Sequence, residues 1–228
     1  MERLDVLYRN RFSAEARQAR ERVWQVLCRH FFQRYVLESD TALDLGCGFG
    51  EFTRFIRARR KIAVDVNRDA ASFLPPDVEF HAADARELDF LPSATVDVCF
   101  TSNFFEHLGS KQDLDAVLLE VHRVLRPGGL LVALQPNIKY APGDYWDFYD
   151  HHVPLSHLSC AEAFGKAGFE VVELVGRFLP FTTCGPLPQH PLLVRLYLWT
   201  RPAWRVLGRQ FLIVGRKPES VPRPSWNP

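Results

Sequence analysis

The stretch Leu43-Asp44-Leu45-Gly46-Cys47-Gly48-Phe49-Gly50-Glu51-Phe52 restricts this chain more than any other. A short apolar run enters three alternate glycines and leaves as a helix that opens on Glu51. Glycines at a strand-to-helix turn let the backbone bend sharply and leave its amides bare for a ligand. The next apolar run, Ile62-Ala63-Val64, ends on Asp65, nineteen residues after Gly46. At the end of a neighbouring strand, that carboxylate can accept both hydroxyls of a ribose lying in the crevice of a parallel sheet.

Similar runs recur along the chain. Apolar segments at 41–45, 61–66, 78–82, 96–101, 130–134, 169–175 and 210–214 predict seven strands. Three- and four-residue spacing predicts helices over 14–37, 51–60 and 114–125, the first with Val23, Trp24, Leu27, Phe31 and Tyr35 inward. Pro127-Gly128-Gly129 is expected to stop the third of these helices. Ser159-Cys160-Ala161-Glu162 reads as a capping box opening a further helix that Gly168 closes. Strands alternating with helices predict an α/β fold, a mostly parallel sheet covered on both faces. A chain of 228 residues, 47% of them hydrophobic, has material for one such domain. It is expected over 1–216, with an N-terminal helical cap at 1–38 and a Pro-rich tail at 217–228.

The acids around the glycines bear on the ligand. A dinucleotide fingerprint started at Gly46 would need its third glycine where Glu51 stands, and Glu51 would set a negative charge against a pyrophosphate. Asp44, just before the turn, suits a cation. These two acids favour a nucleoside carrying ammonium or sulfonium charge over a nicotinamide dinucleotide, so an NAD(P)-dependent oxidoreductase ranks below.

The motifs resemble, in order, those of the class I S-adenosylmethionine-dependent methyltransferases. Asp44-x-Gly46-x-Gly48-x-Gly50 is similar to their motif I, Asp65 to their ribose-binding acid and Ala83-Asp84-Ala85 to the adenine-contacting turn. Thr101-Ser102-Asn103-Phe104-Phe105-Glu106-His107-Leu108 resembles the segment after the fourth strand in the small-molecule enzymes called type 11. Arg123-Val124-Leu125-Arg126-Pro127-Gly128-Gly129 resembles the turn before their fifth strand. The likeness covers roughly residues 20–175. It implies a single doubly wound seven-stranded sheet with helices on both faces and its last strand antiparallel, and S-adenosyl-L-methionine as cofactor. It implies cofactor contacts from Asp44, Gly46, Cys47, Gly48, Gly50, Asp65, Val66, Asp84, Ala85, Ser102 and Asn103. Tyr8 and Arg11 could fold over the cofactor carboxylate. A non-catalytic partner module that keeps the fold is the rival reading.

Methyl transfer from a sulfonium is an in-line displacement, in which alignment supplies much of the acceleration. A base matters only where the acceptor is protonated. Two places can supply the acceptor side. One is Glu106-His107, where the chain leaves the fourth strand. The other is the loop after the fifth, Pro136 to His152, whose last nine residues hold four aromatics, three acids and two histidines. Tyr140, Asp144, Tyr145, Trp146, Tyr149 and Glu106 are expected to bind the acceptor, and His151, His152 or His107 to take its proton. Asp147, Asp150 and His151 offer ligand types that suit Mg or Mn, but no spacing marks a metal geometry and none is expected. The expected acceptor is a hydroxyl on a small molecule or glycan, lipid-linked acceptors included.

Near-neutral charge, with Lys+Arg 28 against Asp+Glu 27, argues against nucleic acid as partner. It is unevenly spread, for residues 177–228 hold eight Lys/Arg and one acid, Glu219. A long insertion at 176–209 separates the last two strands. Its 187–208 portion mixes apolar, aromatic and basic residues, a composition suited to an anionic membrane surface. Five scattered cysteines without a CxxC pair, and no apolar leader after Met1, are the pattern of a cytoplasmic protein.

Overall fold

The computed structural model describes residues 14–181 and 190–219, with side chains from Gln18 onward. Seven strands, β1 (Thr41–Leu45), β2 (Arg60–Asp65), β3 (Val78–Ala82), β4 (Val96–Ser102), β5 (Leu125–Pro136), β6 (Glu170–Val175) and β7 (Gln210–Arg216), form one sheet. Their order is β3-β2-β1-β4-β5-β7-β6, with β7 antiparallel to both neighbours and the other pairings parallel. Among the described residues seven α-helices accompany them: α1 (Ala14–His30), α2 (Glu51–Phe55), α3 (Lys111–Val124), α4 (Pro142–Trp146), α5 (His157–Lys166), α6 (Pro191–Trp199) and α7 (Arg201–Leu207).

Alternation along the central strands builds two cores. Leu43, Leu45, Cys99, Leu131, Ala133 and Ile213 face one layer, closed by Leu114, Val117, Leu118 and Val121 of α3 and by Cys160 and Phe164 of α5. Ala42, Val98, Phe100, Val132, Leu134 and Leu212 face the other, closed by Trp24, Leu27, Phe31, Phe52 and Ile56. Side chains one residue apart on a strand point to opposite faces, so a run apolar at every position must be covered twice. In the second layer Phe52 of α2 stacks on Phe100, ring centroids 3.9 Å apart and nearly parallel. The described part of the insertion joins this layer: Leu198 and Trp204 are buried in it, Trp204 lying edge-on to Phe178 at 4.8 Å.

Several boundaries differ from the sequence expectation. The first helix ends at His30, and a separate 3-10 turn follows at Phe32–Tyr35. The helix expected over 51–60 stops at Phe55, because the Gln33 side-chain amide exchanges two hydrogen bonds of 2.9 Å with the backbone of Arg57. The capping box lies three residues earlier than expected, with Ser156 as N-cap and Ser159 as its reciprocal partner. Pro127-Gly128-Gly129 lies inside β5, as an irregularity: Leu125 pairs with Val96, yet Leu130 is the partner of Val98. Gly128 carries the surplus at φ +78, and its N–H donates to the Lys217 carbonyl.

Truncating Phe100, 1% exposed, removes the ring on which α1 and α2 converge. Phe100→Ala should cost about 3–5 kcal/mol of stability, read as a lowered urea midpoint. A loss below about 1 kcal/mol would contradict this packing.

Candidate functional site

The glycine turn leaves β1 and is tied to β2: Gly46 N and Cys47 N both donate to the Val64 carbonyl, at 2.9 and 3.0 Å. Its three glycines serve different needs. A Cβ on Gly46 would strike the Phe104 ring at 2.6 Å, and one on Gly50 would strike Leu74 at 2.2 Å. Gly48, at φ +52, would meet nothing within 4 Å. Gly46 and Gly50 thus exist for protein packing, and Gly48 is the one that faces open space.

That space is a cleft lined by Asp44, Gly46, Cys47, Gly48, Ser102, Asn103, Glu106, His107 and His151 among the expected residues. Asp44, the last residue but one of β1, is 4% exposed, and its Oδ2 has no hydrogen-bond partner among the described residues. Burial, with Glu51 and Asp65 nearby, raises its carboxyl to about pH 8. Glu51 is also buried but is met by Arg20 of α1, Nε to carboxylate 2.6 Å. Asp44 is left as a buried acid with a free oxygen, and such a group favours either a proton or a cation beside it.

Asp65 is oriented by two backbone amides, Gly48 N at 2.9 Å and Asn67 N at 2.8 Å. Burial raises its carboxyl, and these two bonds oppose the rise. Two donors leave a carboxylate with lone pairs to spare. Asp65 lies beside Gly48 but outside the cleft lining, as do Val66, Asp84 and Ala85; Val66 is 55% exposed. The Asp84 carboxylate is clamped by the Arg86 guanidinium, which also reaches Asp113, and the pair holds Asp84 below the usual carboxylate range. Asn103 has the positive φ of 48, and its amide is fixed between Ser102 Oγ and Gln210 Nε2. Cys47 is buried, and burial pushes its thiol up, which makes it a filler. Tyr8 and Arg11 lie outside the described residues.

Across the cleft, two distant segments are stitched together. The backbone N–H groups of His152 and Val153 both donate to the Glu106 carbonyl, at 2.7 and 3.2 Å. This places His151 against His107, ring centroids 5.0 Å apart. Gln135 of β5 fixes the other side, its Oε1 accepting from Phe104 N and Phe105 N. Glu106 is 2% exposed, and neither carboxylate oxygen has a hydrogen-bond partner among the described residues. Burial raises it to about 7 despite the nearby His107. His107 Nδ1 sits 3.1 Å from both a side-chain and the backbone oxygen of Asp150. Burial alone would lower its pKa; the bond to Asp150 and the Glu106 charge outweigh that and raise it.

The remaining expected residues scatter. His152 is exposed and absent from the cleft lining. Tyr149 is exposed, Trp146 is 57% exposed, and Asp144 pairs with Arg209. Tyr140 stacks near His157 under Arg177, and Tyr145 is fully buried. None of these five lines the cleft. Arg20, Trp24, Glu51, Phe148 and Phe181 do, and reading by sequence did not select them for the site. Glu51 carried a signal, an acid at a helix start next to a glycine turn; its partner Arg20 looked like any arginine on the polar face of a helix.

Asp44 sets a pH dependence. The unfolded chain releases this proton near pH 3.9, and the folded chain holds it to about 8. Between those values the folded state binds more protons, so stability falls as pH rises through the window. Asp44→Asn should therefore raise the melting temperature more at pH 8.5 than at pH 5. An equal change at both pH values would contradict the buried acid.

Known proteins agree with this geometry. Residues 43–133 match a methyltransferase-domain family. The chain is 33% identical over 143 residues to a Mycolicibacterium smegmatis protein named "Probable S-adenosylmethionine-dependent methyltransferase", covering 60% of this chain and 54% of that one. It is 34% identical over 132 residues to the malonyl-[acyl-carrier protein] O-methyltransferase of Serratia marcescens, covering 52% and 50%. The chain thus spans about half the length of these curated relatives. A SAM-dependent methyltransferase structure from Archaeoglobus fulgidus superposes with TM-score 0.65 at 21% identity, over 85% of this chain and 92% of that one, a likeness of fold. With the strand order, these matches give residues 43–133 a likeness to a methyltransferase domain and the chain the fold of the class I S-adenosylmethionine-dependent methyltransferases.

Proposed function

We propose that this chain transfers the methyl group of S-adenosylmethionine to an oxygen of a small-molecule or glycan acceptor, lipid-linked acceptors included. The observation that carries the reading is the unpartnered Oδ2 of buried Asp44 in a cleft that Gly48 also lines, where a Cβ on Gly48 would meet nothing within 4 Å. A cofactor with cationic ammonium and sulfonium groups fits a buried carboxylate with one oxygen unpartnered. Asp65, already aimed by Gly48 N, would receive the ribose hydroxyls, and Asn103 the methionine end. Asp84 would reach adenine only by sharing its carboxylate with Arg86. The cofactor supplies an electrophilic methyl group on a good leaving group. Everything else falls to this chain, which aligns the two reactants and shuts water out with Phe148 and Phe181. Glu106, His107 and His151 meet the acceptor oxygen from the opposite wall. The malonyl-[acyl-carrier protein] O-methyltransferase relative supports oxygen as the atom methylated.

Calorimetry should register S-adenosylmethionine and S-adenosylhomocysteine and no NADH. Asp65→Ala should abolish sulfur-nucleoside binding, whereas His151→Ala should lower turnover at unchanged cofactor affinity. NADH binding, or unaltered affinity in Asp65→Ala, would overturn the assignment.

The acceptor's setting is read from α6 and α7. Leu192, Leu196, Trp199 and Val206 are each at least 60% exposed there, and residues 190–209 hold four arginines and no acid. Apolar side chains among arginines suit an anionic lipid surface. The chain should pellet with phosphatidylglycerol vesicles and not with phosphatidylcholine ones, and the Leu196→Glu/Trp199→Glu variant should stay in solution. Failure of the wild-type chain to pellet would remove membrane contact. Among the described residues no helix is long and apolar enough to cross a membrane.

A further inference from the structure

Glu106, His107 and His151 bring one carboxylate and two imidazoles together so that a ligand atom from each lies within 4.8 Å of the others. All three open onto the cleft. Two independent features set this trio apart from a chance polar cluster. First, Glu106 is almost wholly buried with both oxygens lacking a hydrogen-bond partner among the described residues. An unpaired carboxylate in such a place is strongly disfavoured unless a proton or a cation accompanies it. Second, His107 already donates through Nδ1 to Asp150, by both its carboxylate and its backbone oxygen. That bond puts the proton on Nδ1 and leaves the lone pair on Nε2, the arrangement by which carboxylates orient metal-bound histidines.

We propose that Glu106, His107 and His151 form a site for one divalent transition-metal ion, with Asp150 orienting His107 from behind. Two imidazoles and one carboxylate suit zinc, iron(II), cobalt or manganese better than magnesium or calcium, which prefer all-oxygen ligands. Three protein ligands leave positions open toward the cleft, where an acceptor oxygen can bind. The set differs from the acid-rich one that the loop sequence suggested: Asp147 is exposed, and Asp150 serves His107.

The role of the ion rests on the methyltransferase reading above. An acceptor hydroxyl bound to the ion would be acidified and give its proton to solvent; its oxygen would then form a bond to the methyl carbon as the carbon–sulfur bond breaks, its electron pair leaving on the sulfur of S-adenosylhomocysteine. Both histidines act as ligands in this arrangement, and neither is the base.

The site itself is tested without cofactor. Chelator-treated full-length chain is titrated with Co²⁺ and Zn²⁺ by calorimetry, with the Co²⁺ complex followed by visible absorption, and Mg²⁺ is titrated in parallel. One equivalent of Co²⁺ should bind with the ligand-field bands of a histidine-ligated ion, while Mg²⁺ gives no comparable heat. His107→Ala/His151→Ala should lose the bands, Glu106→Gln should weaken binding at least tenfold, and Asp150→Asn should weaken it by about 10–100-fold. A far-ultraviolet circular dichroism spectrum matching that of the wild-type chain shows that Glu106→Gln is folded. No Co²⁺ or Zn²⁺ binding by the wild-type chain, or bands that persist in the double histidine variant, would overturn the site. Metal binding without S-adenosylmethionine binding would instead sink the methyltransferase reading and leave the site standing.

Discussion

Between β1 and β4 the strand order reverses, and the helices that follow these strands leave for opposite faces of the sheet. Phe52 of α2 packs into one core, and Leu114 and Val117 of α3 into the other. Two chains that diverge in this way must leave a crevice at their carboxyl ends. The glycine turn lies on one side of it and the segment from Ser102 to His107 on the other. Burial of β1 on both faces makes the arrangement rigid, since none of its five residues can slip without exposing an apolar side chain or losing one. Asp44 is the residue this strand carries to the brink, and its position in the register settles that a carboxylate sits at the crevice floor.

From that floor the polar groups fall into two sets of opposite character. Glu51 is neutralised by Arg20, and Asp65 and Asn103 are already held by hydrogen bonds. They are preorganised partners, whose geometry exists before any ligand arrives. Asp44 and Glu106 are the reverse, buried carboxyls with unspent hydrogen-bonding capacity on opposite walls. Buried groups of that kind are seldom left unmatched in a folded protein. One wall matches a cationic nucleoside, and the other, with two imidazoles, matches an ion or a polar acceptor.

The insertion before β7 takes part in the same design. α6 and α7 bury Leu198 and Trp204 against the α1 side of the sheet and turn the rest of their apolar surface outward. A helix pair that served only to cover the core would not keep Leu192, Leu196 and Trp199 in water. The crevice and this exposed apolar surface therefore come from different parts of the chain: one from the strand order, the other from the segment between its last two strands.

What the sequence determined by itself is the strand order's raw material. Period-two and period-3.6 patterns, the glycine turn and Asp65 were legible because each depends on neighbours within a few residues. Asp44, Gly48, Ser102, Asn103, Glu106 and His107 could be chosen for the same reason, since all stand at or just past predicted strand ends, and His151 came from the loop after the fifth strand. The sequence could not say which glycine faces a ligand, because Gly46 and Gly50 answer to Phe104 and Leu74, far away along the chain. Nor could it see that Asp84 is claimed by Arg86, that Tyr145 points inward, or that Glu51 would find Arg20. The aromatic loop seemed to be the acceptor wall, yet only His151 and Phe148 reach it, because two hydrogen bonds to the Glu106 carbonyl decide which part of that loop touches the cleft. Composition can supply the ligands of a site, but only contacts between segments remote in sequence can bring a carboxylate and two imidazoles within reach of one another.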